Sequence, residues 1–313
     1  MELGRRAASA PDLPLILPAP VRQAGPMPHF TSYDDAELHY RVLGPNGPGV
    51  PPLVCLAGGP GRDAAYLGDL GGLSEQRHLV IPDSRGTGAS PAAADPSRYA
   101  YPHLAEDLEA LRTHLGLERF ALLAHDAGAA TAQAYAAAYP DRLTRLVLVC
   151  PGSRVQGELP DDAPEIFASR ADEPWWPEAS AALQRLAETS DLTEARSLLL
   201  SAAPLAYGRW EAPQRAHAAA EADQLNPVPR AGFWQGVDEP ARQTLLAGLR
   251  EVPCPVLVVT GDRDAVTGVR AGELVAESFP EGRTHHLHET GHYPWVDEPS
   301  LFSQVVEEFL RAA

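Results

Sequence analysis

The chain has 313 residues, 44% hydrophobic and 21% charged, with 42 acidic residues against 25 basic ones and a formal charge of −17. That apolar share excludes a disordered chain, and the negative balance excludes nucleic-acid phosphates and anionic lipid surfaces as natural partners. All 25 basic residues are arginine, which excludes a lysine Schiff base or a Walker-type lysine.

In chain order, residues 1–29 form a Pro-rich arm whose longest apolar run, Leu15-Ile16-Leu17, is too short for a signal sequence or a membrane span. Cys55, Cys150 and Cys254 are widely spaced and odd in number, a pattern of neither a disulfide framework nor a zinc site. The expectation is a cytoplasmic protein that takes a small-molecule substrate and uses no metal and no cofactor. The oligomeric state is not legible in the sequence.

Strand-like runs are predicted at Glu37 to Val42, Leu53 to Leu56, His78 to Pro82, Phe120 to Ala124, Arg145 to Cys150, Pro255 to Thr260 and Thr284 to His288. They alternate with helical stretches at Leu104 to Leu115, Ala127 to Ala138, Gly268 to Ser278 and Ser300 to Leu310. This alternation predicts an α/β fold with a mainly parallel sheet and helices on both faces. It breaks over residues 152–243, which read as a helical cap inserted between two core segments, 30–151 and 244–313. The cap holds 15 acidic and 8 basic residues, a net −7, and four of the five tryptophans, Trp175, Trp176, Trp210 and Trp234. Those aromatics form its own small core or line an apolar substrate site.

The chemistry concentrates at Ala124-His125-Asp126-Ala127-Gly128, where a strand runs into a helix of small residues. The pattern small-x-nucleophile-x-small is that of a nucleophile elbow, and its central residue is Asp126 rather than serine. Asp264, after the strand that ends at Thr260, and His292 follow in the order nucleophile, acid, histidine. The three strand-end residues in this order resemble the α/β-hydrolase superfamily. Within it, Ala57-Gly58-Gly59-Pro60-Gly61 is similar to the HGGPG loop of the proline iminopeptidase branch, with Ala57 replacing histidine. Asp83 to Ser90 resembles that branch's DxRGxGxS loop, and Trp210-Glu211 its WE pair. The resemblance implies an α/β-hydrolase fold, a triad of Asp126, His292 and Asp264, and an oxyanion hole made by the backbone N–H groups of Gly59 and Ala127.

A carboxylate, with a reference pKa near 4, is already ionised at neutral pH and needs no base to attack. It suits displacement at a saturated carbon, giving an alkyl-enzyme ester, whereas attack on an amide gives a reactive mixed anhydride. The sequence therefore favours an epoxide-hydrolase-like enzyme, with Tyr207 as candidate ring-opening acid and Tyr66 as a weaker one. The positions that hold halide in related dehalogenases are Ala127 and Gly59 here. Two alternatives remain at this stage: an iminopeptidase-like aminopeptidase or esterase in which Glu211 binds a substrate amine and Asp126 replaces serine, and a non-catalytic binding protein on a hydrolase scaffold. Asp83 and Arg85 read as a loop-fixing ion pair. His285, His286 and His288 alternate across a strand, so they do not form a three-ligand metal site.

Overall fold

The computed structural model describes residues 27–45 and 52–312, so most of the proposed N-terminal arm lies outside the described residues. Eight strands form one sheet: β1 (His29–Thr31), β2 (Glu37–Leu43), β3 (Leu53–Leu56), β4 (Leu79–Pro82), β5 (Phe120–His125), β6 (Leu143–Val149), β7 (Val256–Gly261) and β8 (Gly282–Leu287). Their spatial order is β1-β2-β4-β3-β5-β6-β7-β8, antiparallel at β1/β2 and β2/β4 and parallel elsewhere. The central strands are continuous apolar runs because helices cover both of their faces. Alternation along β5 sends Leu122 and Ala124 into one core and Leu123 into the other.

The first core lies under α1 (Tyr101–His114) and α2 (Gly128–Ala138), with Leu111 and Tyr135 fully buried. The second is closed by Trp295 of α11 (Pro294–Asp297) and by Phe302, Val306 and Phe309 of α12 (Pro299–Arg311). Between β6 and β7 come α3 (Asp162–Ser169), α4 (Trp176–Leu186), α5 (Leu192–Ala202), α6 (Ala212–Ala219), α7 (Glu221–Gln224), α8 (Pro227–Gly232) and α9 (Glu239–Leu249). The sequence-drawn boundary at residue 243 falls inside α9. That helix runs on to Leu249, which joins the first core, and it packs on α2 closely enough that a Cβ on Gly248 would lie 2.9 Å from the Ala137 Cβ. The last helix is α10 (Arg270–Glu277), between β7 and β8.

The cap tryptophans pack rather than line a site. Trp176 stacks on Phe167 with ring centroids 5.4 Å apart, and Trp234 meets Tyr101 of α1 at 5.4 Å. Asp83 and Arg85 do pin their loop, but not to each other. Arg85 bonds Asp107 and Asp34, while Asp83 faces Arg41 of β2. Among the described residues no helix is long and apolar enough to cross a membrane.

Candidate active site

Asp126 occupies the turn between β5 and α2 with φ 49°, a left-handed conformation that a non-glycine residue adopts only when its surroundings enforce it. Two backbone bonds hold it, Asp126 N–H to Val149 O at 3.0 Å and Ala129 N–H to Asp126 O at 2.9 Å. The small residue two positions on has a direct cause: a Cβ on Gly128 would sit 2.5 Å from the Ala57 carbonyl oxygen. The elbow and the Ala57–Gly61 loop, the candidate oxyanion loop, are thus packed backbone to backbone.

Gly59, at φ 112°, turns its N–H onto Asp126 Oδ2 at 2.8 Å. The Ala127 N–H also favours the charged form of this carboxylate. The second oxygen, Oδ1, lies 3.8 Å from His292 Nε2. His292 Nδ1 is 2.9 Å from Asp264 Oδ2. Asp264 is fully buried at the end of β7, and its carboxylate also accepts from the Val266 N–H at 2.8 Å, the Thr267 N–H at 3.1 Å and the Thr267 hydroxyl at 2.7 Å. Asp126, His292 and Asp264, drawn from three strand ends, meet in the order read from the sequence.

Charge follows geometry. Burial alone would push the Asp126 and Asp264 carboxyls up, but the His292 imidazole and the surrounding donors outweigh it and hold both below the ordinary carboxylate range. His292 is penalised as a cation by burial, yet Asp264 first, then Asp126 and Glu221, raise it above its ordinary value. The two carboxylates that flank His292 therefore favour its imidazolium form.

Behind the elbow, His125 can be assigned its protons. Its Nε2 lies 2.9 Å from the His292 carbonyl, which accepts only, so Nε2 carries the hydrogen. Burial, then the neighbouring His292, lowers its pKa to about 3, so Nδ1 is a bare acceptor for the Tyr66 hydroxyl at 2.7 Å. Tyr66 OH in turn accepts from the Gly58 N–H at 2.8 Å. The same reasoning fixes His217, whose pKa burial lowers to about 4: Nε2–H donates to Tyr66 O at 3.0 Å and Nδ1 accepts from Tyr207 OH at 2.7 Å.

Of the remaining residues singled out in the sequence, neither cap candidate has a side chain free at the triad. Tyr207 is 1% exposed and its proton is committed to His217, while Tyr66 spends its proton on His125. Glu211 is exposed at the N-cap of α6, where its N–H bonds Gln214 Oε1 at 3.3 Å. The cap carboxylate that does face the site is Glu221, bonded at 3.3 Å to Arg62 of the oxyanion loop. Arg62 is 3% exposed, stacks over Tyr66 with its guanidinium carbon 4.3 Å from the ring centroid, and donates to the Tyr293 hydroxyl at 3.0 Å. Neither residue carries a motif; only their convergence marks them.

Cys150, Asp264 and His292 place donor atoms within 4.8 Å of one another. A cation there would have to displace the proton shared by His292 and Asp264, and burial raises the Cys150 thiol well above its ordinary pKa, away from the thiolate a metal needs. His286 and His288 bond Thr260 and Asp262 separately, each at the edge of the sheet.

A doubly covered, mainly parallel sheet with a tight strand-to-helix turn at the nucleophile position, and acid and histidine after later strands, is the layout of the α/β hydrolases. The chain belongs to this family: the α/β-hydrolase fold model matches residues 51–299. It is 27% identical over 263 residues to the pimeloyl-[acyl-carrier protein] methyl ester esterase of Aeromonas hydrophila subsp. hydrophila, covering 83% of this chain and 95% of that one. It is 23% identical over 304 residues to the proline iminopeptidase of Heyndrickxia coagulans, covering 90% and 98%. A solved esterase from Rhodococcus sp. shares the fold with a TM-score of 0.71 at 24% identity, covering 91% and 98% of the two chains. The protein is accordingly a hydrolase.

Proposed function

We propose that this hydrolase opens an electrophilic saturated carbon, an epoxide or a comparably activated centre on a small molecule, through an alkyl ester on Asp126. One observation carries the reading: Asp126 Oδ2 already rests on the Gly59 N–H while Oδ1 faces His292. Attack by Oδ1 forms the O–C bond and breaks the ring C–O bond, and the released alkoxide is protonated by water. Oδ2 then becomes the ester carbonyl oxygen, already held by the donors that stabilise an oxyanion. Alkylation also removes one of the charges that favour protonated His292. The imidazolium gives its proton to the hydroxide formed when water protonates the alkoxide, and the neutral imidazole is then the base that activates water against the ester carbonyl. Collapse of the tetrahedral intermediate expels the diol, protonated by His292, and restores Asp126.

No tyrosine is assigned as ring-opening acid, because Tyr207 and Tyr66 have committed hydroxyls. The names of the relatives, an ester hydrolase and a peptidase, support hydrolysis of small substrates, whereas a carboxylate nucleophile disfavours amide cleavage. The reading is tested with His292→Gln protein incubated with 1,2-epoxyalkanes. Intact-mass spectrometry should show an adduct of the epoxide's mass, mapped to Asp126. Its absence across epoxides of different length and substitution defeats the ester mechanism.

A further inference from the structure

His292 stands in the loop between β8 and α11, outside any strand or helix. One bond from Nδ1 to Asp264 aims its ring, and its Nε2 is 3.8 Å from Asp126 Oδ1. Its backbone is held from another side. The His292 N–H donates to Ala206 O at 2.8 Å, so the loop leans on segment 206–208, which precedes α6. That segment is a fixed seat, because Arg170 donates to Tyr207 O at 2.6 Å and Arg263 to Gly208 O at 2.9 Å.

The contact between loop and seat is backbone on backbone. A Cβ on Gly291 would lie 2.5 Å from the Ala206 carbonyl oxygen, and one on Gly208 would run into the Glu289 carbonyl. A single carboxylate closes it. Asp297, the last residue of α11 and 4% exposed, accepts the Gly291 N–H and the Gly208 N–H on the same oxygen, Oδ2, each at 2.8 Å. Its Oδ1 accepts from Gln214 Nε2 of α6 at 3.1 Å, and Arg209 donates to its main-chain carbonyl at 2.6 Å. Burial pushes this carboxyl above the ordinary range despite those donors. A buried carboxylate is a costly filler, and here its bonds join two stretches of backbone that no strand ladder or helix connects.

Resting on the reading above, we infer that Asp297 is a positioning residue: it fastens the His292 loop to segment 206–208, so that the seat of this segment sets where His292 stands over Asp126. Asp126 is oriented separately, by the Gly59 N–H. Alkylation of Asp126 therefore does not depend on Asp297, whereas hydrolysis of the ester, for which His292 must deliver water, does.

The two steps are timed by rapid-quench intact-mass spectrometry with 1,2-epoxyalkanes. In Asp297→Ala protein, or Asp297→Ser if that variant does not fold, ester hydrolysis should slow by about tenfold to a hundredfold, as for an ångström-scale misplacement of the base. Alkylation should change by less than about twofold, so the ester accumulates. Asp297→Asn keeps one oxygen for both N–H groups and should restore hydrolysis to within about threefold. Amide hydrogen exchange in the alanine variant should accelerate by at least about tenfold in peptides 206–210 and 289–293 together. Equal slowing of both steps, loss of protection in only one of the two peptides, or an asparagine variant as impaired as alanine overturns the assignment. If no epoxide alkylates Asp126 in any variant, the ester mechanism fails, and the link made by Asp297 is judged on the exchange of the two peptides alone.

Discussion

At Asp126 a single carboxylate meets two parts of the site, Oδ2 on the Gly59 N–H and Oδ1 facing His292, and its charge bears on that neighbour. His292 is raised by Asp264 and further by Asp126. Asp126→Asn should therefore lower the His292 pKa, read from imidazole NMR titration, and abolish epoxide turnover by at least about a thousandfold. The same coupling predicts that ester hydrolysis, measured in single turnovers, has an acid limb at lower pH than the His292 titration of the resting protein. Asp126→Ser restores a nucleophile whose attack on an acyl carbon leaves an ordinary ester. That variant should gain activity on p-nitrophenyl acetate and lose it on epoxides, followed by product release. Tyr66→Phe leaves the Gly58 N–H and His125 Nδ1 without their partner. It should cost about 1–3 kcal/mol in urea denaturation.

Elements meet here through backbone rather than through long side chains. The N-terminus of α2 touches the oxyanion loop at Gly128, so Gly128→Ala drives a Cβ against the Ala57 carbonyl oxygen. Neither partner can yield without displacing Gly58 and Gly59. Urea denaturation should show a loss of about 1–3 kcal/mol, and turnover should fall further than stability does because the N–H of Gly59 moves. The α7–α8 segment and the oxyanion loop are joined by reciprocal backbone bonds, and Asn226 adds a side-chain bond to Gly86 O at 2.7 Å while capping α8 at Val228 N. Asn226→Ala should cost about 1 kcal/mol and speed proteolytic cleavage of the cap, monitored by peptide mapping.

For the whole molecule, the buried triad links stability to pH from both sides. Asp126 and Asp264 titrate below the ordinary carboxyl range when folded, so their contribution is present above about pH 3.8 and lost as pH falls through the folded values. His292 titrates above its ordinary value when folded. Its contribution is full below about pH 6.5 and lost as pH rises through the folded value. The thermal midpoint of wild-type protein should accordingly fall at both ends, and Asp264→Asn should blunt both limbs in calorimetric scans from pH 3 to 9.

The sequence by itself determined seven of the eight strands, the elbow and the order in which Asp126, Asp264 and His292 follow their strands, because these depend on local rules: apolar runs buried on both faces, a tight turn that tolerates only small neighbours, residues at strand ends. It also disclosed the aspartate at the elbow, since one letter carries that information. What it could not determine depends on folding of the cap. Tyr207 and Glu211 were singled out by residue type and motif, yet the cap turns one inward onto His217 and leaves the other in solvent. Arg62 and Glu221, 159 positions apart, meet beside Tyr293 only when the segment between β6 and β7 packs on the Gly58–Arg62 loop. Nothing in local pattern encodes such a pair, because the free energy that brings it together belongs to the docking of two surfaces and not to either stretch of chain.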